Sequence, residues 1–250
     1  MCLCSKEKPI GKEVRKMDAF VEKLVDGLNE ELECETVFSI PLGNGHSIPV
    51  YESVVVTWII IAALIVVSKL LVRNLTIDNV SKKQLALETG IGFLRNFFED
   101  ALGKHGVRYM PYLMTVILYI GVANIIGLFG FKPPTKDMNV TIALSLMSII
   151  LIEYAGIHKK GFKAWIKGFA EPVAIVAPIN VLEIFIRPLS LCMRLFGNVL
   201  GAFVVMELIK LCIPVGVPTV FSVYFDIFDG LIQAYVFVFL TSLFINEATE

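Results

Sequence analysis

The sequence predicts an all-α integral membrane protein with five transmembrane crossings and one amphipathic helix. Three observations carry that prediction. Of the 250 residues, 56% are apolar and only 18% charged, and the mean hydropathy is +0.74. A soluble domain runs nearer roughly 45–50% apolar and about 25% charged. Apolar runs near the length of about 20 residues that crosses a hydrocarbon core recur along the chain. Alternating β-barrel patterning is absent, so the spans are helices that satisfy their own backbone groups. This composition excludes a disordered chain, a collagen-like chain and a small disulfide scaffold. A net charge of −1 supplies no global field for nucleic acid, and no nucleic-acid partner is expected. The five cysteines (Cys2, Cys4, Cys34, Cys192, Cys212) form no Cys-x-x-Cys pair. Cys2 and Cys4 read as part of a dangling terminus rather than a metal site.

Residues 1–49 form an N-terminal extramembrane segment. Its first 30 residues are rich in charge and lack the apolar centre of a signal peptide, so no cleavage is expected. Residues 50–72 form the first transmembrane helix, with no charge between 53 and 68. Residues 73–107 are a linker in which Leu87, Ile91, Leu94, Phe98 and Leu102 repeat at helical spacing among charged residues. That stripe predicts an amphipathic helix of about five turns, packed peripherally. Residues 108–157 form a transmembrane hairpin: 109–131 is uncharged, and a further span starts at Met138 with Glu153 near its end. Residues 158–171 are a basic loop, and 172–250 hold two long apolar segments interrupted by charges.

Loop charge sets the orientation. The 73–107 linker and its borders carry Lys69, Arg73, Lys82, Lys83, Arg95, Lys104 and Arg108, and the 158–171 loop carries Lys159, Lys160, Lys163 and Lys167. The connection 211–218 and residues 31–50 carry no lysine or arginine. Five crossings with both basic loops inside put the N-terminus outside and the C-terminus in the cytoplasm. Positive inner loops suit a bacterial inner membrane.

The informative stretch is 180–207. Glu183, Arg187, Arg194 and Asn198 are spaced by four, seven and four residues and fall on one helix face. A charge near the bilayer centre costs roughly 2.5–3.5 kcal/mol on insertion scales. Arg194 lies about 16 Å beyond Glu183 along the axis, too deep to snorkel easily. A guanidinium does not release its proton in proteins, so Arg194 is a permanent positive charge. It must face water, protein or a mobile counter-ion, and a structural ion pair with Glu183 is the competing reading. Glu207 lies farther out on the same segment. Asp226 sits in the outer half of the last span, with Gln233 deeper on the same face. Carboxyls can line an aqueous path because they exchange protons. Arg187 reads equally as a partner of Glu183 or an interface anchor. Glu207 has Lys210 as an alternative partner, and Asp229-Gly230 reads as a helix break. The three histidines (His46, His105, His158) lie outside the spans.

Arg194-Leu195-Phe196-Gly197-Asn198, preceded by Arg187-Pro188-Leu189-Ser190-Leu191, resembles the signature of subunit a of the F-type ATP synthase. Asn124-Ile125-Ile126-Gly127-Leu128 is similar to that family's Asn-Leu-x-Gly-Leu element, and Asn139-Val140-Thr141 to its Asn-x-Thr. The resemblance covers the chain from about Tyr109 onward. It implies a non-catalytic stator subunit that conducts H⁺ or Na⁺. Expected partners are a rotating ring of c subunits, a b-subunit peripheral stalk and the lipid bilayer, with no cofactor or metal. Two tilted helices, about 175–211 and 217–246, would form a hairpin against the ring. Arg194 would face the ring carboxylate, and Glu207 and Asp226 would line the outer half-channel. Gln233 would pack near the arginine, Asn198 would sit beside the path, and Glu183 would line the inner half-channel. Where the family often has an acid nine residues after the arginine, this chain has Phe203, and Glu207 lies four further on. Some members carry a histidine at the position of Asp226. A stand-alone ion-coupled transporter is the alternative reading; no internal repeat speaks for it.

Overall fold

The computed structural model describes residues 36–41, 47–73, 81–129, 132–168, 177–212 and 223–249, with 15, 17, 18, 21, 22, 25–27 and 221. Cys2, Cys4 and Cys34 lie outside the described residues, as does the 213–220 connection.

Strands β1 (Thr36–Pro41) and β2 (Ser47–Tyr51) pair antiparallel, with Phe38 opposite Val50 and Ile40 opposite Ile48. This small hairpin is an addition to the all-helical expectation and leads directly into the membrane helices. Helix α1 (Glu52–Val72) starts at Tyr51 and is apolar on all sides. Only Ser53, Val56 and Ile60 are buried, a narrow stripe at spacing three and four. Trp58, Ile59, Ile65, Val66 and Leu70 are exposed, as a lipid-facing helix requires.

Helix α2 (Lys82–Gly106) is the amphipathic helix. Ser81 caps it by accepting from the Gln84 backbone N–H at 3.3 Å. Its polar side carries the Arg95–Glu99 pair at 2.7 Å; the bond to Glu99 holds the guanidinium above its ordinary pKa. Its apolar stripe ends in Phe98 and Leu102, both fully buried. Gly103 adopts φ 63° and kinks the chain near the helix end, a conformation that glycine tolerates without strain. A 3₁₀ turn (Val107–Tyr109) then joins it to α3 (Met110–Ile125).

Helix α3 continues into a 3₁₀ turn (Ile126–Phe129), and a second such turn (Pro134–Lys136) precedes α4 (Met138–Lys160). Asp137 caps α4 by accepting from the Asn139 N–H at 2.9 Å, and also accepts from the Ser53 hydroxyl. The last turn of α4 carries Lys159 and Lys160, which complement the helix dipole. Short α5 (Phe162–Gly168) follows. Helix α6 (Ala177–Cys212) has 36 residues and tolerates Pro188 inside it, as membrane helices do when neighbours satisfy the freed carbonyl. A π-helical segment (Tyr224–Asp229) leads into α7 (Gly230–Thr249).

Among the described residues, four helices are long and apolar enough to cross a membrane: Glu52–Val72, Met138–Lys160, Pro178–Met206 and Ile227–Thr249. Helix α3 has 16 residues and gains length from the 3₁₀ turns at both ends.

Helix α7 is the hub, packed by α2, α3 and α4. Phe237, Val238 and Ile245 are fully buried there, with Leu113 and Ile120 of α3 and Ile152 of α4 also buried. Phe97 of α2 lies 5.1 Å from the ring of Tyr235. In lipid, such contacts arise from packing and hydrogen bonds rather than water exclusion. Close approach therefore matters most. At Gly230, a Cβ would stand 2.8 Å from the Asn124 Cβ, so α3 and α7 meet there only because residue 230 has no side chain. Helix α6 lies along α4 instead, and touches α7 only sparsely.

Candidate functional site

The sparse contact between α6 and α7 is polar at two levels. At the first, Asn198 Nδ2 donates to Asp229 Oδ2 at 2.8 Å and reaches Gln233 Oε1 at 3.4 Å. Gln233 is 5% exposed, and its Nε2 has no partner among the described residues. This level is tied to the bundle through Asn124, whose Nδ2 donates to the Gly230 carbonyl at 2.9 Å. The Thr135 hydroxyl donates in turn to Asn124 Oδ1 at 2.9 Å. Both Asn124 and Thr135 are buried, which fixes the backbone at 230.

At the second level Arg187 bridges the helices. It holds Glu183 of its own helix at 2.8 Å and Glu247 of α7 at 2.9 Å. Its guanidinium carbon also stands 4.8 Å from the centre of the Phe244 ring, within cation–π range. Beside this bridge a cavity of about 250 Å³ opens, lined by Glu153, Lys160, Trp165, Glu183, Arg187 and Glu247 among others. The Trp165 indole donates to Glu153 at 3.0 Å and fixes that carboxylate at the wall.

Arg194 lies between the two levels, about 10 Å along the axis from Arg187 and about 6 Å from Asn198. It is exposed and has no hydrogen-bond or ion-pair partner among the described residues. The structural pair with Glu183 does not form: about 16 Å of helix separates the two residues, and Arg187, one turn from Glu183, takes that carboxylate. Of the two readings of Arg187, pairing is the one observed, and it extends to Glu247.

The candidate residues thus separate into groups. Asn198 and Gln233 meet. Glu183 stands at the cavity, well apart along α6. Glu207 is on α6 and Asp226 in the π-helical segment, but their side chains lie outside the described residues, as does Lys210. The helix break expected at Asp229-Gly230 is corrected. The chain passes from the π turn into α7 with Gly230 at φ −60° and ψ −39°, so helix continues. Glycine is needed at 230 for the approach to Asn124, and Asp229 is a side chain turned to α6. No pattern in the sequence marks Glu247, or Glu153 near the end of its span, as a site residue. Their importance depends on the antiparallel register of α6 and α7 and on the fold-back of α5, which no local pattern encodes.

A family model described as ATP synthase A chain matches residues 54–246. The chain is 36% identical over 199 residues to ATP synthase subunit a of Moorella thermoacetica, covering 79% of this chain and 90% of that one. It is 31% identical over 226 residues to the ATP synthase subunit a, sodium ion specific, of Propionigenium modestum, covering 84% and 78%. It is 33% identical over 206 residues to ATP synthase subunit a 2 of a Bradyrhizobium species, covering 80% and 90%. A multi-pass helical bundle, an arginine signature on a long membrane helix and these matches agree: the chain belongs to the family of F-type ATP synthase subunit a, non-catalytic ion-translocating subunits of the membrane sector.

Proposed function

We propose that the chain forms two offset half-channels that carry H⁺ or Na⁺ to and from carboxylates on a c-subunit ring, with Arg194 dividing them. The supporting observation is the state of Arg194: a permanent cation, exposed, unpartnered among the described residues, and set between two polar levels at different depths. A charge in that position must face water, protein or a mobile counter-ion, and a carboxylate on a neighbouring ring meets that need. Gly197 and Gly201, one and two turns on, are also exposed and have open space around them, which lets a neighbouring helix approach closely.

The outer half-channel runs past Glu207 and Asp226 to Asn198 and Gln233. The inner one is the cavity at Glu183, beside the basic end of α4 with Lys159 and Lys160. With basic loops inside, the N-terminus is external and the C-terminus cytoplasmic in a bacterial inner membrane, and a b-subunit stalk holds the chain still. An ion entering from outside neutralises a ring carboxylate. The neutral site can face lipid, where a bare charge costs several kcal/mol. After nearly one turn it meets the inner half-channel, where the field of Arg194 favours the ionised carboxylate and releases the ion. Each charge crossing 100 mV supplies about 2.3 kcal/mol, so several must pass per ATP.

The test is ATP synthesis driven by an imposed ion gradient. Arg194→Ala abolishes it, and Arg194→Lys does not restore it, because a lysine can lose its proton. Synthesis by Arg194→Ala at the normal rate refutes the proposal.

A further inference from the structure

We propose that Asp229, with Asn198 and Gln233, forms a binding station for the coupling cation between the outer half-channel and the ring. This rests on the half-channel reading above and adds a residue and a site to it.

Four observations carry the inference. Asp229 lies in a helix pair inside the membrane, yet among the described residues it has no cationic partner; its carboxylate receives one neutral amide, from Asn198 at 2.8 Å. A partly buried carboxylate at membrane depth that carries no fixed cation among the described residues is an acceptor for a mobile one. Second, Gln233 is 95% buried by its 5% exposure, and its Nε2 is left without a partner although its Oε1 faces Asn198. An orphan donor beside an underused carboxylate marks room for a water or a hydrated cation. Third, the backbone over Tyr224–Asp229 is π-helical, a rare form that occurs mostly as single-turn bulges and frequently at functional sites. Fourth, the position is rigid. Gly230 is pinned to Asn124, and Asn124 to Thr135, so the carboxylate next in sequence is held toward α6 rather than free to turn away.

Several charged groups lie on the elements around the station. Arg194 stands one turn from Asn198 on α6, and Lys136 and Asp137 follow Thr135 at the end of the 3₁₀ turn that packs on α6 and α3. Glu207 lies farther along α6 and Asp226 precedes Asp229 by three residues. Helix α3, which packs on this segment, contributes the neutral Asn124 and has no Asp, Glu, Lys or Arg between Met110 and Ile125. In a proton-coupled complex the step is simple. A water-borne proton adds to a carboxylate oxygen of Asp229, then leaves for the ring carboxylate and regenerates the Asp229 anion. In a sodium-coupled complex the ion sits against the same oxygen and moves on without bond cleavage.

Three variants of the intact complex test this in sealed vesicles, read as ATP-driven ion pumping and as passive ion conductance after removal of the catalytic sector. Asp229→Asn keeps an acceptor for Asn198 but cannot carry an ion, and is expected to lower both readouts at least tenfold. Asp229→Glu keeps the acid and is expected to restore at least a third of each. A merely structural residue gives the reverse order, since Asn preserves the contact geometry and Glu does not. If the Asn variant fails to assemble, mass spectrometry of the wild-type complex treated with a hydrophobic carbodiimide decides. An adduct on Asp229 supports the station, and its absence overturns it. Arg194→Ala is the control: if it is inactive while Asp229→Asn pumps normally, the station is wrong and the half-channel reading stands. If Arg194→Ala itself pumps normally, the half-channel reading fails.

Discussion

Replacing Gly230 by alanine tests whether the close approach of α3 and α7 sets the ion path. The added Cβ would stand 2.8 Å from the Asn124 Cβ, 3.6 Å from its Cγ and 3.7 Å from its Nδ2. Carbon atoms pack best at about 3.5–4.0 Å, so the helices must part by roughly 1 Å. Overpacking of this kind costs about 1–3 kcal/mol. The bond from Asn124 to the Gly230 carbonyl is strained at the same time, and such bonds in membrane bundles average about 0.6 kcal/mol. The expected loss is therefore about 2–4 kcal/mol, read as a lower unfolding midpoint of the purified complex. Asp229 and Gln233 move with residue 230, and a misplacement of about 1 Å can lower a rate by as much as about a hundredfold. ATP-driven pumping should thus fall by about tenfold or more in the assembled fraction. Gly121→Ala is the control on the same pair of helices. Its Cβ meets only Leu231 Cδ2, at 3.9 Å, which is ordinary contact, so both measurements should stay near wild type. If Gly230→Ala behaves like Gly121→Ala, the argument from close approach is wrong.

Two further outcomes follow from the same geometry. Asp137→Ala removes the cap of α4 and the acceptor of the buried Ser53 hydroxyl. It should cost about 1–3 kcal/mol of stability while leaving pumping per assembled complex unchanged; an unaltered unfolding midpoint contradicts this. Gly197→Leu meets nothing within 4 Å in its own chain. It should leave the subunit folded and yet abolish coupled synthesis by filling the face offered to the ring. Full synthesis would place the ring elsewhere.

The class of fold was legible because hydropathy is an additive property of local sequence. The uncharged run 53–68 specifies a lipid-facing helix without knowledge of its neighbours. The stripe Leu87 to Leu102 announced an amphipathic helix, but not that Phe97, off the stripe, would meet Tyr235 of α7. The β1–β2 hairpin had a local signal in the Asn44-Gly45 pair between β-branched runs, which hydropathy alone passes over. The polar contacts between α6 and α7 were not legible. Arg187 and Glu247 are 60 residues apart, and only the antiparallel register brings them together. Asp229-Gly230 reads as a break because glycine commonly ends a helix. The competing cause, glycine used for close packing, depends on Asn124, more than 100 residues earlier.

The central claim is that ions pass between the two half-paths only by riding the ring, because Arg194 closes the direct route. Passive ion flux in sealed vesicles, with the catalytic sector inhibited so that the ring cannot turn, tests it most directly. The account predicts no flux for the wild-type complex and measurable flux for Arg194→Ala. Equal tightness of the two, with normal ATP synthesis by the variant once the inhibitor is removed, would contradict it.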